Sequence, residues 1–156
     1  MSLPFPDRRR NGPFPTAVDS PFPAFLDEPR DACLRLSAEF EHRGRSTRLR
    51  ARGEVDAFTM PRWRRMLDHG ADTVVPGGQF VVDLRGLGFV SCRGFGELVR
   101  TATRCRAHGC SLFVVEDGGW SRRVLEVVDP AGELVTYPHQ VHHPVGAEPV
   151  ATEEPA

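Results

Sequence analysis

Two short and almost uninterrupted apolar runs constrain the fold most strongly. Residues 79–84 (Gln-Phe-Val-Val-Asp-Leu) and 111–115 (Ser-Leu-Phe-Val-Val) are each the length of one β-strand. A run of this kind is typical of the centre of a sheet that helices cover. Between the runs lies a segment with helical spacing, whose apolar face holds Phe95, Leu98, Val99 and Ala102. This strand–helix–strand order predicts right-handed crossovers and an α/β layer fold.

Further periodic segments extend the pattern over residues 31–138. Two runs with alternating apolar and polar residues flank a short turn that contains glycine, which predicts a β-hairpin. The additional elements are a strand over 33–40, a strand over 47–55, a helix over 59–70, a helix over 121–129 and an edge strand over 133–137. Thr59 is expected to cap the first of these helices. The chain is therefore predicted to form one α/β domain with a mixed sheet of four to five strands.

Proline marks the boundaries of that domain. Seven of the fourteen prolines lie in residues 1–29, and four more lie in 138–156. Proline fixes φ and lacks the N–H donor that helices and sheets need. We therefore predict a disordered Pro/Phe-rich arm over residues 1–30, the folded domain over 31–138 and a disordered acidic tail over 139–156.

The charge balance argues against a nucleic-acid partner. The chain has 20 basic residues, all of them arginine, against 21 acidic ones, whereas nucleic-acid binding favours a basic excess. Without lysine, neither a Walker motif nor a Schiff base can form. No apolar run approaches the ~18 residues of a membrane-spanning helix. The four cysteines show no CxxC spacing, so we expect a reduced, cytoplasmic protein without membrane contact.

Three segments then resemble a known family. Residues 53–56 (Gly-Glu-Val-Asp) are similar to the first signature of STAS domains, which include anti-sigma factor antagonists. Residues 82–96 resemble the second signature, in which an Asp-Leu turn leads to a Ser at a helix start. Residues 123–126 are similar to a segment of the family's third helix. The order of the three motifs and of the elements that carry them matches the family over about residues 32–138.

The resemblance implies a non-catalytic module that binds an anti-sigma factor of the GHKL-type serine kinase class. In the family, phosphorylation of the Ser at the helix start releases the antagonist. Here the phosphoacceptor position aligns with Cys92, and the preceding Asp of the signature aligns with Ser91. The resemblance therefore implies an antagonist without the usual phosphoswitch, unless Ser91 takes the phosphate.

The resemblance and the helix start together predict one partner-binding surface. Its predicted residues are Asp56, Gly86, Gly88, Ser91, Cys92, Arg93, Gly94 and Phe95. The glycines are expected to let a partner backbone approach closely. On this view, Gly94→Glu should abolish partner binding without unfolding the domain.

Two other functions remain open at this point. Cys92 at a helix N-terminus beside Arg93 is a candidate redox switch, which predicts that it alkylates much faster than the other cysteines. The glycine-rich turn at 86–88 is a candidate site for a nucleotide or another small ligand, although the third glycine of a dinucleotide motif is absent. We find no catalytic constellation and expect neither a metal nor a cofactor, because His139, His142 and His143 lie in the Pro-rich tail.

Overall fold

The protein folds as a six-stranded sheet with helices packed against it. The computed structural model describes residues 18–117, 120–130, 132 and 134–138. The strands are β1 (Val18–Pro21), β2 (Leu36–Arg43), β3 (Ser46–Val55), β4 (Gln79–Val90), β5 (Ser111–Glu116) and β6 (Val135–Pro138). The helices are α1 (Arg30–Arg35), α2 (Met60–Thr73), α3 (Cys92–Ala107) and α4 (Trp120–Val128).

The strand order in the sheet follows the chain from β1 to β6. The first three strands are antiparallel neighbours, and β3, β4, β5 and β6 are parallel. Each parallel pair is joined through a helix. Because right-handed crossovers between consecutively ordered strands lie on the same side of a sheet, α2, α3 and α4 share one face. We call the opposite side of the sheet the open face.

The main core lies between the sheet and these helices. Alternate residues of β2, β3, β4 and β5 point into it, as the pleat of a strand requires. Its largest fully buried side chains include Trp63, Phe40, Phe80 and Phe95. The sequence analysis placed Trp63 on the apolar face of its helix, and the structure confirms that position. The indole N–H of Trp63 donates to the carbonyl of Gly94 at 3.1 Å, which ties α2 to the start of α3.

The apolar runs and helical patterns predicted the centre of the fold correctly. The runs form β4 and β5, the helix between them is α3, and a hairpin joins β2 to β3 around Gly44 with φ +54°. Thr59 is the N-cap residue of α2, but its side chain makes no capping hydrogen bond to that helix. Instead, its hydroxyl donates to the carbonyl of Glu54 at 2.8 Å.

The strand count of four to five was wrong, because a strand lies inside the predicted disordered arm. β1 pairs with β2 at the edge of the sheet, with Pro21 opposite Glu39. Proline is tolerated on an edge strand, where not every N–H has a strand partner. Residues 30–35 also differ from the prediction, since they form α1 and the following strand begins only at Leu36. Residues 1–17 and 139–156 lie outside the described part of the chain.

A buried ion pair holds the segment after β1 against α2. Arg62 is 3% exposed, and its guanidinium donates to the carboxylate of Glu28 at 2.6 Å. The same guanidinium donates to the carbonyls of Leu36, Pro23 and Phe22. The Phe22 ring is itself part of the core. The N-terminal limit of the packed domain therefore lies before residue 22.

Candidate functional site

The carboxyl ends of β3 and β4 meet at one edge of the sheet, where α3 begins. The backbone N–H of Ser91 donates to the carbonyl of Val55 at 2.8 Å, which joins the end of one strand to the start of the helix. We call the exposed and half-buried residues at this edge the carboxyl-edge surface. It consists of Asp56, Phe58, Gly88, Phe89, Ser91, Cys92 and Arg93.

A hydrogen-bonded turn fixes the position of Asp56. One carboxylate oxygen accepts from the backbone N–H of Phe58 at 2.9 Å and from that of Thr59 at 3.0 Å. The other oxygen pairs with the guanidinium of Arg35. The N–H of Thr59 and the charge of Arg35 hold the pKa of Asp56 below its usual value. The carboxylate is therefore ionised at neutral pH and held in one orientation.

The start of α3 presents Ser91, Cys92 and Arg93. Ser91 is the N-cap residue, and its hydroxyl accepts from the backbone N–H of Gly94 at 3.2 Å. Cys92 and Arg93 follow in the first turn, and both are exposed. The first N–H groups of a helix carry a partial positive charge, so this end of the helix favours an acidic group of a partner.

Two of the predicted partner contacts are inside the protein. Phe95 is 0% exposed, and Gly94 is buried at the same helix turn. A Cβ atom on Gly94 would lie 2.8 Å from methyl groups of both Val55 and Val90. Gly94 is therefore a packing glycine that allows α3 to approach β3 and β4. Because both residues are buried, we do not include them in the carboxyl-edge surface.

The two glycines of the predicted loop lie in a strand. β4 continues to Val90, so residues 86–90 are not a loop before the helix. Gly88 is exposed near the carbonyl of Gly53 and belongs to the carboxyl-edge surface. Gly86 packs elsewhere, since a Cβ there would lie 2.5 Å from the carbonyl oxygen of Ala51. The glycines do not form a turn whose N–H groups surround a phosphate, which removes the basis for the predicted nucleotide site.

The sequence analysis missed two exposed aromatic side chains on the carboxyl-edge surface. Phe58 is 45% exposed and Phe89 is 48% exposed. The guanidinium of Arg35 lies 5.5 Å from the ring centre of Phe58. Exposed aromatic side chains beside charged groups are typical of the centres of protein–protein interfaces. The available signal was the position of each phenylalanine, one in the polar turn after β3 and the other directly after Gly88.

We expect Ser91→Ala to destabilise the domain by about 1 kcal/mol, because the N–H of Gly94 loses its capping acceptor. Ser91→Asp should retain most of the stability, since a carboxylate also caps and suits the helix dipole. Urea unfolding of the three proteins measures both differences. Equal losses in the two variants would show that the cap contributes nothing.

The described residues hold no group of three potential metal ligands. The three histidines considered in the sequence analysis, His139, His142 and His143, lie outside the described residues. None of the helices in the described part of the chain is long and apolar enough to cross a membrane.

Comparison with known proteins decides the family. The family model described as the STAS domain matches residues 37–139. The chain belongs to this family. Two of the three motifs of this STAS domain lie at the carboxyl-edge surface. Residues 53–56 are at the end of β3, and residues 82–96 run along β4 into the start of α3.

Relatives of this STAS domain include proteins from mycobacteria. Rv2638 of Mycobacterium tuberculosis, which is named as an anti-anti-sigma factor, is 30% identical over 129 residues, or 83% of this chain and 84% of the relative. The anti-sigma-F factor antagonist RsfA of the same species is 27% identical over 66% of this chain and 80% of the relative. The fold resembles the crystal structure of an anti-sigma factor antagonist from Mycobacterium paratuberculosis, with a TM-score of 0.58 and 21% sequence identity. The match covers 67% of this chain and 87% of that chain.

Proposed function

We propose that this STAS domain is an anti-sigma factor antagonist that binds its anti-sigma factor through the carboxyl-edge surface. The observation that carries the proposal is the exposure of two aromatic rings, Phe58 and Phe89, at the sheet edge that also carries the fixed carboxylate of Asp56. The names of two relatives, Rv2638 and RsfA, give the class of partner. The proposed partner is a GHKL-type serine kinase, and the proposed location is the cytoplasm.

The geometry suits a binding surface better than a catalytic one. Apolar rings surrounded by polar groups supply most of the affinity in protein interfaces, and charged groups at the rim set orientation. Asp56 offers a preformed negative group, and Arg93 offers an exposed positive one at the helix start. We therefore propose a binding role without catalysis.

The start of α3 also supports an antagonist without the usual phosphoswitch. The family's phosphoacceptor position aligns with Cys92, whose thiol replaces the serine hydroxyl. The hydroxyl of Ser91 is already used as an N-cap acceptor. A phosphate on Ser91 would have to replace that bond, so we propose that binding does not depend on phosphorylation of this helix start.

Removal of both rings tests the proposed surface. We expect Phe58→Ala combined with Phe89→Ala to weaken binding to the anti-sigma factor by at least about tenfold, because truncated aromatic anchors cost more than 1 kcal/mol each. Both side chains are about half exposed, so the free energy of unfolding should change by less than about 1 kcal/mol. Co-purified kinases of the host identify the partner, and calorimetric titration with the purified partner measures the affinity.

Val75→Ala combined with Val127→Ala provides a matched control. These side chains are 47% and 77% exposed but lie outside the carboxyl-edge surface, so the control should bind like the wild type. Unchanged affinity in the phenylalanine variant, or equal losses in both variants, would contradict the proposed surface.

The exposure of Cys92 supports a second candidate function, in which oxidation of that thiol controls binding. Cys33 is partly exposed, whereas Cys105 and Cys110 are buried. Burial, together with the neighbouring Cys110, raises the pKa of Cys105 to about 12. If Cys92 is the sensor, it should alkylate much faster than Cys33, and its oxidation should change partner affinity. Labelling of Cys92 no faster than that of Cys33 would remove this candidate.

A further inference from the structure

The open face of the sheet contains a groove that the proposed function does not use. Its volume is about 590 Å³, within the range of small-molecule sites. The groove lies across β3 and β4, and Asp117, directly after β5, also lines it. Its other charged lining residues are Arg50, Arg52, Asp83 and Arg85. These side chains point away from α2, α3 and α4.

A β-bulge in β4 shapes the floor of this groove. Arg50 is opposite Asp83, but Arg52 is opposite Gly86, so β4 has one extra residue between the two pairs. Bulges re-aim side chains and are over-represented next to functional sites. Gly86 is required here, because a Cβ would lie 2.5 Å from the carbonyl oxygen of Ala51. The backbone of β4 therefore packs closely against β3 at the floor of the groove.

The buried carboxylate of Asp83, which lines the groove, is already paired with arginines. Both oxygens of Asp83 accept from Arg85, at 2.9 and 2.6 Å, and one of them also accepts from Arg48 at 2.6 Å. Burial acts to raise the pKa of Asp83, but the bonds from Arg85 and Arg48 outweigh it and hold the pKa below its usual value. The negative charge of Asp83 is therefore neutralised by Arg85 and Arg48.

The arginines retain donors that these pairs do not use. Arg50 gives one Nη to Glu41 at 2.9 Å, and a guanidinium has five N–H donors in all. Arg52 is exposed and makes no ion pair with the described residues. Two further carboxylates lie close to these arginines, since Asp117 also lines the groove and Glu39 is opposite Arg50 in the ladder between β2 and β3. Within the described residues, neither of them forms an ion pair with Arg52. The groove therefore contains guanidinium N–H donors that these ion pairs do not use.

We propose that this groove binds a small ligand that carries a phosphate group, with Arg52 as the main contact and Arg50 and Arg85 beside it. A carboxylate has two oxygens that accept from arginine, whereas a phosphate group has three or more and can accept paired bonds from several arginines at once. Three arginines around one groove therefore fit phosphate better than carboxylate. The site lies on the face of the sheet opposite the helices and does not depend on the proposed antagonist function.

Titration calorimetry of the full chain with inorganic pyrophosphate tests the proposal, with sodium chloride keeping the ionic strength constant. We expect saturable binding with a dissociation constant of about 1 mM or tighter. Arg52→Ala should weaken it by about tenfold, since a charge-assisted bond is lost. Asp117→Asn should tighten it by about threefold, because removal of a nearby negative charge favours an anion.

Arg122→Ala is the matched control, because Arg122 is an exposed arginine on α4. Its affinity for pyrophosphate should equal that of the wild type. The proposal is overturned by the absence of saturable binding, by equal losses in the Arg52 and Arg122 variants, or by weaker binding after Asp117→Asn. Tighter binding of succinate than of pyrophosphate would replace phosphate with dicarboxylates as the ligand class and would also overturn it.

Discussion

Gly94→Glu is expected to unfold the domain, and not simply to block binding as the sequence suggested. A Cβ at this position would lie 2.8 Å from methyl groups of both Val55 and Val90, where the rest of a glutamate has no space. The carbonyl of Gly94 also accepts the indole N–H of Trp63. Overpacking together with a buried, unpaired carboxylate should cost about 4 kcal/mol or more. Urea unfolding followed by circular dichroism measures the loss.

Gly96→Glu is the matched control on the same helix. Gly96 is exposed, and a Cβ there meets nothing within 4 Å. Because glutamate favours helices more than glycine does, this variant should be as stable as the wild type or more stable by up to ~1 kcal/mol. If the two glutamate variants unfold at the same urea concentration, the packing role assigned to Gly94 is wrong.

Arg62→Ala should have the second largest effect on stability. The substitution leaves the Glu28 carboxylate, whose side chain is 4% exposed, without its close guanidinium partner. It also removes the donor for three backbone carbonyls of the N-terminal segment and β2. Removing one partner of a buried ion pair typically costs about 3–5 kcal/mol. The free energy of unfolding should fall by that amount, and proteolysis should cleave the chain first near residues 22–28.

Arg64→Ala on the same helix separates the effect of the buried pair from the effect of removing any arginine charge. The Arg64 side chain is 44% exposed and donates to Glu97 at 2.8 Å, and Arg100 also donates to that carboxylate. Exposed ion pairs contribute about 0–1 kcal/mol, so this variant should unfold close to the wild type. A loss as large as that of Arg62→Ala would contradict the role assigned to the buried pair of Arg62 and Glu28, and so would unchanged protease resistance of residues 22–28 in the Arg62 variant.

The centre of the fold could be predicted because its patterns are long and agree with one another. The apolar runs of β4 and β5 have the length of strands, and the stripe that includes Phe95 and Leu98 has the period of a helix. Such periodicity reports burial directly, since the buried face sets the repeat. The same argument placed Trp63 in the core.

The N-terminal part could not be predicted from local pattern. Pro21 and Pro23 suggested a disordered arm, but the segment is held by a strand partner and by Arg62, which lies 26 residues after Leu36 in sequence. Alternation over residues 33–40 also suggested one continuous strand. The structure ends α1 at Arg35 because Leu36 has an extended backbone, with φ −138° and ψ 112°. Long-range contacts decided both cases.

The candidate site was predicted as a region but not residue by residue. The signature motifs located Asp56, Ser91 and Cys92 at one edge of the sheet. The motifs did not show that Gly94 packs inward, because that depends on how close α3 approaches β3. Phe95 was assigned to the partner surface by the resemblance, although its place in the apolar stripe indicated burial. Exposure of Phe58 and Phe89 was equally hidden, since an aromatic residue in sequence looks like a core residue until its neighbours are known.

The strand order of the sheet has a consequence for synthesis. Each ladder joins strands that follow one another along the chain, so every new strand meets an edge that has already been translated. The domain can assemble from its N-terminus as the ribosome releases it. A chain that stops between residues 117 and 134 would end with β5 as a bare parallel edge, which is an unpaired template for aggregation. The few residues of β6 therefore cover the edge that β5 would otherwise leave unpaired.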